Sequence, residues 1–515
     1  MSISSIRDTD VLIVGAGPTG LVLALWLTRL GVRVRIVDKT AEPGTTSRAL
    51  AVQARTLELY HQIGLAEAVV ERGRKVLAPN LWVSGNKAAR AVFGYMGAGL
   101  SPFPYMLIFP QDEHERLLIS RLTTAGVEVE RRTGLVDFEE SSGRVLARLK
   151  GPDGAPGTCE AAYIAGCDGA HSTVREVLEI GFPGGAYAHL FYVADVEASG
   201  ATMNGELHVA LDTTDFLAVF PLKDEGRARL IGTVRQEAEH DHENLSWNDV
   251  SKRVIEWMRI DVERVNWFST YRVHHRVADH FRKGRAFLLG DAAHIHSPVG
   301  GQGMNTGIGD ALNLAWKLAA VRQGRADSSL LDSYEPERIA FARRLVATTD
   351  RAFTGVTSRG AIARLVRLDI VPLLIPSLFK LSAVRRLIFR TVSQTAVSYR
   401  GSGLSEGRAG TVNGGDRLPW VKADGVDEDN FAPLTSLDWQ IHVCGDVAPE
   451  LRKACDARKL PLHAFPWRAE MGRSGLRRNA VYLVRPDGYV ALADPEGSRT
   501  AVTSYLDARK LTPMT

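Results

Sequence analysis

The 515-residue sequence predicts an α/β protein built around a Rossmann-like unit, with an inserted antiparallel sheet and a shorter α/β unit at its C-terminal end. Three observations predict this class. A glycine-rich turn follows the first apolar strand, a second follows an apolar strand close to residue 290, and short strand-like runs separated by turn residues fill positions 181 to 275.

The first turn belongs to a strand, helix and strand pattern between Asp10 and Asp38. The apolar run DVLIVGAG leads into Gly15-x-Gly17-x-x-Gly20, then into the helical stretch TGLVLALWLTRLG and the strand VRVRIVD. The glycines allow a tight turn, a close approach of the backbone to a pyrophosphate and close helix packing, while the final acid accepts a ribose hydroxyl. The pattern predicts a dinucleotide site but does not separate NAD from FAD.

The second turn follows the apolar strand GRAFLLGD, which ends at Gly290-Asp291. Gly300, Gly301 and Gly303 come next, directly before a clear helical pattern. Such a turn presents bare backbone N–H groups and a helix N-terminus to an anion. The two turns together predict that one extended dinucleotide is held at both ends.

Two charged residues are further candidates for this site. Arg48 lies in a loop before an amphipathic helical pattern and either neutralises phosphates or is a solvated surface arginine. Asp168 ends the apolar run AAYIAGCDG and either caps the following helix or faces a bound cofactor. The spacing leaves both alternatives open at each position.

These residues resemble those of the single-component flavoprotein aromatic hydroxylases of the para-hydroxybenzoate and phenol hydroxylase type. The resemblance covers most of the chain and rests on the first glycine turn, on Arg48, on the DGxxSxVR element from Asp168 to Arg175, and on the segment from Gly290 to Asn305. It implies a Rossmann-like FAD-binding domain of the para-hydroxybenzoate hydroxylase type, an inserted antiparallel sheet substrate domain and a C-terminal thioredoxin-like domain.

The resemblance also implies which residues hold FAD. Asp38 would bind the adenosine ribose, Asp168 would help to hold FAD and communicate with NAD(P)H, and Asp291 would bond the ribityl chain. The implied cofactor-binding residues are Gly15, Gly17, Pro18, Thr19, Gly20, Asp38, Lys39, Arg48, Gln111, Leu135, Asp168, Asp291, Gly301, Gly303, Met304 and Asn305. Leu135 would contact adenine through its backbone, and the last three residues would offer backbone groups to the isoalloxazine.

The resemblance implies catalytic roles for Arg48 and for Pro298, which would lie beside the isoalloxazine on the substrate side. Arg276, in the strand-like run YRVHHRVADHF, either guides NAD(P)H or fixes the flavin, or is a simple surface charge. Phe220, Pro221 and Pro298 would line the substrate cavity. Arg227 or Arg229 is a candidate to meet an acidic substrate, but both flank a turn, KDEGRAR, and are therefore expected to be exposed. His294 and His296 lack further ligands for a metal, so no metal site is predicted.

The predicted domains follow the same order along the chain. After Gly401 a glycine-rich break precedes a short α/β pattern without a CxxC motif, which we interpret as structural and as a support for a homodimer. The predicted ranges are 1–76, 110–180 and 276–360 for FAD binding, 77–109 and 181–275 for the substrate sheet, 361–405 for a helical connection, and 406–515 for the thioredoxin-like domain.

Composition limits the remaining classes of function. The net charge of +4 is small and dispersed, which argues against a nucleic-acid partner. Four cysteines form no metal-ligand cluster and are typical of reduced thiols in a cytoplasmic protein. No apolar span is long enough for stable membrane insertion, and no signal peptide is visible. The basic amphipathic segment 360–400 is expected to pack on the flavin domain or on a second subunit.

The resemblance predicts an NAD(P)H- and FAD-dependent monooxygenase. NADPH or NADH would reduce FAD, O2 would add to form a flavin hydroperoxide, and its distal oxygen would pass to a phenolic or polycyclic aromatic substrate. A Baeyer-Villiger-type oxygenase or a flavin-dependent reductase on the same scaffold stays open, as does a flavin-binding module without activity. A flavin halogenase is disfavoured because its WxWxIP motif is absent.

Overall fold

The structure, a computed structural model, describes residues 7–44, 49–212, 216–234, 245–297, 299–357, 378–422 and 429–513. The helices within them are α1 (Pro18–Arg29), α2 (Ala54–His61), α3 (Ala66–Arg72), α4 (Phe93–Gly97), α5 (Gln111–Thr124), α6 (Thr173–Val177), α7 (Arg253–Trp257), α8 (Gly303–Arg322), α9 (Tyr334–Thr357), α10 (Ser382–Val392), α11 (Pro449–Ala457), α12 (Ala469–Arg473) and α13 (Arg499–Ala508).

The strands, in chain order, are β1 (Arg7–Val14), β2 (Val34–Val37), β3 (Ala51–Val52), β4 (Arg74–Val76), β5 (Pro79–Val83), β6 (Asn86–Arg90), β7 (Met106–Ile108), β8 (Val129–Glu130), β9 (Gly134–Ser141), β10 (Arg144–Lys150), β11 (Pro156–Gly166), β12 (Gly184–Gly200), β13 (Leu207–Leu211), β14 (Phe216–Pro221), β15 (Arg227–Thr233), β16 (Ile260–Val277), β17 (Arg282–Lys283), β18 (Ala286–Leu288), β19 (His294–Ile295), β20 (Glu406–Ala409), β21 (Val412–Asn413), β22 (Gln440–Cys444), β23 (Leu462–Phe465), β24 (Val481–Val484) and β25 (Val490–Asp494).

The first sheet carries the predicted Rossmann-like unit. Its order is β17-β18-β11-β1-β2-β8, with β9 and β10 attached beside β11. The pairs β18-β11, β11-β1, β1-β2 and β2-β8 are parallel. Parallel strands are buried on both faces and are therefore apolar throughout, as β1 is at Val11 to Val14. The carboxyl ends of β1, β11 and β18 consequently lie next to one another.

The second sheet confirms the predicted inserted antiparallel sheet. Its order is β19-β16-β12-β15-β14-β13-β5-β6, and β12 and β16 form its long central ladder. The neighbouring strands are antiparallel except for β13 and β5. A separate small sheet, β3-β7-β4, is formed by strands on both sides of β5 and β6 in the sequence. The second sheet thus draws β5 and β6 from the earlier part of the chain, and both its predicted substrate role and the domain boundaries stay predictions.

The C-terminal unit, defined here as residues 406–513, contains the third sheet, β21-β20-β25-β24-β22-β23. Its β22 and β23 are parallel, whereas β24 is antiparallel to both β22 and β25. From β22 onward the chain order of its elements is β-α-β-α-β-β-α, and the thioredoxin-like domain stays a prediction. Its two cysteines, Cys444 and Cys455, are free.

One apolar core joins the first sheet to the C-terminal unit. The indole rings of Trp316 on α8 and Trp439 beside β22 meet edge to face with centroids 5.5 Å apart. Helix α10 packs against α4 through Phe389, while Leu387 on its outer side is exposed. Part of the predicted helical connection, residues 358–377, lies outside the described residues. Among those described, no helix is long and apolar enough to cross a bilayer.

Candidate active site

The first glycine turn has the predicted tight geometry and one open position. Gly15 has φ +102°, and a Cβ built there would lie 2.3 Å from the Cys167 carbonyl oxygen. A Cβ on Gly20 would lie 2.0 Å from the Gly15 carbonyl oxygen, whereas a Cβ on Gly17 would meet no described atom within 4 Å. Gly17 caps α1 and Pro18 begins it, so the N-terminus of this helix faces open space where an anion can bind.

Asp38 follows β2 and lies beside this turn. One carboxylate oxygen accepts a hydrogen bond from the Ala16 backbone N–H at 2.7 Å. The other accepts from the Thr40 backbone N–H at 2.8 Å and from its hydroxyl at 2.6 Å. Arg131 approaches to 3.7 Å. The carboxylate is therefore fixed in place next to the cradle, while the neighbouring Lys39 is exposed.

Asp168 follows β11 at the same edge of the sheet, because Val14 pairs with Gly166 in the parallel register. Its Oδ2 accepts a hydrogen bond from the Val174 backbone N–H at 3.2 Å, as a helix cap would. Its Oδ1 is buried and has no hydrogen-bond partner among the described atoms. Burial raises the pKa of this carboxyl above its usual range. An unpaired buried oxygen is costly unless a further group completes it, so this site fits a bound ligand.

The second glycine turn is held against the first. Gly290 has φ +57°, and Thr19 Oγ1 would lie 2.7 Å from a Cβ built on it and 2.3 Å from one built on Gly307 of α8. Thr19 therefore fills the space where the two turns meet. Asp291 is exposed at this edge. The buried Asp310 accepts a hydrogen bond from the Gly290 backbone N–H at 3.0 Å.

Asn305 fixes the start of α8 with its side chain, whereas the sequence predicted a contribution from its backbone. Its Oδ1 accepts from the Gln53 backbone N–H at 2.9 Å and from the Thr56 hydroxyl at 2.7 Å. Its Nδ2 donates to the carbonyl oxygens of Ala51 and Gly301, each at 2.8 Å. Residues 303 to 305 form the first helical turn, whose N–H groups have no acceptor within the helix. Met304 packs on the apolar core.

The remaining predicted cofactor residues lie on neighbouring elements. Gln111 begins α5 and donates a hydrogen bond to Glu115 at 2.8 Å. Leu135 is buried on β9, close to Thr133, whose backbone N–H donates to the Asp38 carbonyl at 2.9 Å. Arg48 and Pro298 lie outside the described residues, so their predicted roles stay predictions.

Arg276 lies on β16, opposite Gly184 on one side and Ile295 on the other. Its guanidinium carbon is 5.9 Å from the Phe182 ring centroid, within the range of a cation–π contact. The structure therefore places Arg276 where the second sheet meets the loop after Asp291.

The second sheet carries a group of aromatic side chains on β12, β14 and β16. The Phe191 ring lies 6.3 Å from Phe216 and 6.1 Å from Tyr271. Phe220 on β14 is half-buried in the same apolar region, next to the buried Pro221. Rings in such contacts favour offset or edge-to-face packing, which an aromatic ligand can extend.

The predicted exposure of Arg229 is wrong. Its side chain is 3% exposed and donates to both Asp195 oxygens, at 2.6 and 2.7 Å. The pairing of β12 with β15 places Asp195 directly opposite Arg229, which explains the burial. Arg227, two residues earlier, remains partly exposed and pairs with Asp224 at 3.1 Å. The turn KDEGRAR thus carries one surface arginine and one buried arginine.

The two loop histidines have separate partners. His294 is buried with its Nε2 2.7 Å from Asp310. His296 Nδ1 lies 2.8 Å from the Ser297 carbonyl oxygen, and burial lowers the pKa of His296 to about 4. No cluster of three metal-ligating side chains occurs within the described part of the chain. Sequence reasoning missed Asp310 and its partner Arg338, although a carboxylate inside the helical run GMNTGIGDALNLAW is the kind of signal that marks a buried polar site.

The two facing glycine turns, the helix N-terminus at Gly17 and the orphaned carboxylate oxygen at Asp168 together define a dinucleotide-binding flavoprotein site of the para-hydroxybenzoate hydroxylase type. A family model described as "FAD binding domain" matches residues 8–349. The chain belongs to this family, the single-component FAD-dependent aromatic hydroxylases, and is an enzyme, a FAD-dependent aromatic monooxygenase.

Individual relatives extend the similarity beyond the family model. The 6-methylpretetramide 4-monooxygenase of Streptomyces rimosus is 35% identical over 535 residues, which cover 98% of this chain and 94% of that protein. The pentachlorophenol 4-monooxygenase of Sphingobium chlorophenolicum is 33% identical over 66% of this chain and 64% of its own length. The solved structure of OxyS anhydrotetracycline hydroxylase from Streptomyces rimosus has a TM-score of 0.79 and 29% identity, covering 99% of this chain and all of that one.

Proposed function

We propose that this chain hydroxylates a phenolic or polycyclic aromatic substrate, with NADPH or NADH as the reductant and O2 as the oxidant. One observation carries the proposal: the segment that begins at Gly290 contacts Thr19 of the first glycine turn and then forms β19, which pairs with β16, the strand that carries Tyr271 of the aromatic face. A planar substrate bound on that face would therefore lie close to a flavin bound at the turns.

We propose that the predicted residues hold FAD in the following way. The N–H groups at the start of α1 would bind the pyrophosphate, Asp38 would hold the adenosine end, and Asp168 and Asp291 would hold the central part. The first turn of α8, at Gly303, would offer N–H groups to the electron-rich end of the ring. When bound, FAD accepts a hydride and activates O2, and the protein supplies positioning and water exclusion.

Two features of the second sheet support an aromatic substrate of limited charge. Phe216, Phe220 and Tyr271 provide ring surfaces. The buried Arg229 is already paired with Asp195 and lies 5.6 Å from the Trp267 ring. Arg229 is thus engaged within the protein, which argues against the idea that it recognises a substrate carboxylate. The names of the relatives mention 6-methylpretetramide, anhydrotetracycline and pentachlorophenol.

The test is turnover of the FAD-loaded enzyme with NADPH and with NADH against phenols, naphthols and tetracyclic phenols. With isotope-labelled O2, we expect one labelled oxygen atom in a ring hydroxyl, detected by mass spectrometry. The Phe220→Ala variant should raise KM for the accepted substrate, while Arg227→Ala, at the exposed pair with Asp224, should not. A labelled lactone would instead indicate a Baeyer-Villiger-type oxygenase, and substrate reduction without O2 uptake would indicate a reductase.

Two further proposals concern the environment of the enzyme. All four cysteines are free thiols, which supports a reducing, cytoplasmic location. The predicted homodimer stays a prediction, and the mass of the protein in solution tests it.

A further inference from the structure

A network of buried charges connects the C-terminal unit to helices α8 and α9. It starts at the turn between β24 and β25, where Arg485 is 1% exposed. Its guanidinium donates to both Glu337 oxygens of α9, at 2.8 and 3.0 Å, and to both Asp487 oxygens, at 3.0 and 2.6 Å. Arg485 therefore ties its own turn to α9 with four hydrogen bonds.

Helix α8 holds the same two carboxylates. Lys317 Nζ and Asn313 Nδ2 donate to Glu337 Oε2 at 2.8 and 2.6 Å. Trp316 Nε1 donates to Asp487 Oδ2 at 3.1 Å. The turn of the C-terminal unit is thus fixed against both helices at once.

The network continues from Glu337 to the next residue of α9 and from there to the flavin turn. Arg338 donates to Asp310 Oδ1 at 2.6 Å and to the Thr306 carbonyl oxygen at 3.0 Å. The other oxygen of Asp310 accepts from the Gly290 backbone N–H at 3.0 Å and lies 2.7 Å from His294 Nε2. The path from the C-terminal unit therefore ends on the backbone of the second glycine turn.

The energetic cost of burying charged side chains indicates the role of this network. Its side chains are at most 4% exposed, and three cations (Arg485, Lys317 and Arg338) balance three carboxylates (Glu337, Asp487 and Asp310). Burial would raise the pKa of Glu337, but Arg485 and Lys317 hold it below its usual range, so the pair stays ionised. Buried ion pairs cost so much desolvation that apolar residues often give equal or greater stability. Their directional bonds can instead fix one arrangement of the packed elements.

We propose that the C-terminal unit is a positioning element of the flavin site, with Arg485 and Asp487 as positioning residues. By fixing α9 and α8 in one register, they hold Arg338 and Asp310 where the Gly290 turn is formed before FAD binds. This inference concerns FAD binding, goes beyond the proposed function and does not depend on which substrate is hydroxylated.

A second buried arginine pair at the same interface supplies a matched control. Arg417 of the C-terminal unit donates to both Glu58 oxygens of α2, at 2.8 and 2.5 Å, and both side chains are buried. Within the described part of the chain, Glu58 also bonds Arg55 and Ser101 but has no contact with Asp310 or Gly290. Among the described residues, Glu58 reaches the network only at the Asp487 carbonyl oxygen, to which Arg55 donates at 2.6 Å. Loss of the Arg417 pair therefore leaves the bonds from Arg485 through Glu337 and Arg338 to Asp310 in place.

The experiment compares Arg485→Lys with Arg417→Lys in the full-length chain. Each change keeps the charge and removes the two-pronged geometry. We expect Arg485→Lys to raise the Kd for FAD about tenfold, to shift the visible absorption of the bound flavin, and to speed amide hydrogen exchange at Gly290. Arg417→Lys should lower the thermal midpoint as well, but leave the Kd within about twofold of the parent, because the bonds from Arg485 through Glu337 and Arg338 to Asp310 stay in place.

The proposal is overturned if Arg485→Lys changes only the thermal midpoint, or if both variants weaken FAD binding equally. If Arg485→Lys does not fold, Asp487→Asn tests the same path, since it keeps the shape and an acceptor for Trp316 while weakening the bonds to Arg485. The expected rise in Kd for FAD and the faster exchange at Gly290 are the same for this variant. An unchanged Kd there also overturns the proposal.

Discussion

An added side chain would have different surroundings at Gly20 and at Gly17 of the first turn. At Gly20, a Cβ would collide with the Gly15 carbonyl oxygen at 2.0 Å, which belongs to the protein itself. At Gly17, a Cβ would meet no described atom within 4 Å. Gly20 is therefore required by the fold of the chain, whereas Gly17 is free of such a requirement and leaves room for a ligand.

This difference predicts opposite results for two alanine variants. Gly20→Ala should destabilise the protein by about 2 kcal/mol or more, because backbone atoms must move. Gly17→Ala should leave the free energy of unfolding of the apoprotein unchanged within about 0.5 kcal/mol, yet weaken FAD binding at least about tenfold. Urea unfolding of the apoprotein and titration with FAD check the pair. Unchanged FAD affinity in Gly17→Ala would contradict the placement of the pyrophosphate at this helix.

Arg229 shows why some side chains could not be located from the sequence. Its neighbours, KDEGRAR, indicate a turn and hence exposure, and Arg227 behaves as this pattern predicts. Arg229 is buried because β12 brings Asp195 opposite to it, from a position 34 residues earlier. The strand register that places Asp195 opposite Arg229 depends on residues far apart in the sequence, so the local composition does not indicate it.

Removal of this buried arginine should be costly. Arg229→Met leaves Asp195 without its charged partner and should lower the free energy of unfolding by about 3 kcal/mol. The double variant Asp195→Asn with Arg229→Met removes both charges and should recover more than half of that loss. Urea unfolding of both variants measures the difference. A double variant as unstable as the single one would show that packing against Trp267, not charge, accounts for the loss.

At the scale of elements, α1 and α8 are in tight contact at Gly307. A Cβ there would lie 2.3 Å from Thr19 Oγ1 and 3.1 Å from the Gly290 Cα. The two helices start at the two glycine turns, so their separation fixes the distance between the turns. The sequence predicted both helix starts, but it did not indicate that a glycine within α8 sets their contact.

The expected effect of Gly307→Ala on stability is opposite to that of most glycine-to-alanine changes inside helices. Alanine usually stabilises a helix interior by about 1 kcal/mol relative to glycine. Here we expect a loss of about 2 kcal/mol in the free energy of unfolding and a higher Kd for FAD, because the added methyl group forces α8 away from Thr19. The variant Thr19→Ala with Gly307→Ala makes room for this methyl group and should restore part of the stability. A more stable single variant would contradict the close contact.

The structure at the start of α8 was predicted only in part from the glycine motif. The glycines at 300, 301 and 303 predicted a turn that presents backbone N–H groups, and Gly300 and Gly301 do have positive φ values, +76° and +63°. The side chain of Asn305 was not predicted to hold this turn. Its four partners lie between residues 51 and 56 and at Gly301, and a single sequence contains no signal of such distant contacts.

At the scale of the whole molecule, the sequence predicted the order of the sheets but not how they are fastened together. Hydrophobic periodicity and glycine turns are local, and they located the first sheet and the inserted sheet. The buried network from Arg485 to Asp310 joins residues 175 positions apart. Each of its charged residues, considered alone in the sequence, would be assigned to the surface. Their burial depends on the packing of the C-terminal unit, which no local pattern reveals.

Neutral histidines inside this large structure predict a loss of stability in mild acid. Burial lowers the pKa of His114 and His442 to about 3 and that of His208 to about 4, from 6.5. His208 Nδ1 accepts a hydrogen bond from the Trp82 indole N–H at 3.0 Å, and His208 Nε2–H donates to Asn204 Oδ1. Because both ring nitrogens are engaged, a second proton on the ring would break the bond to Trp82. The unfolded chain therefore binds more protons than the folded one below about pH 6.5.

The sign of the effect follows from proton linkage. The stabilisation by these histidines is complete above their unfolded pKa of 6.5 and is lost as the pH falls from there toward their folded values. Each histidine contributes a slope of at most about 1.4 kcal/mol per pH unit. We expect the free energy of unfolding to fall steeply between pH 6.5 and about pH 4.5, measured by urea unfolding at each pH. The variant His208→Gln cannot take up a proton at this position, so its free energy of unfolding should depend less steeply on pH, by up to the contribution of one histidine. An equal slope in the variant would show that the buried rings accept protons without disturbing the fold. A parent stability that stays constant through this pH range would show the same.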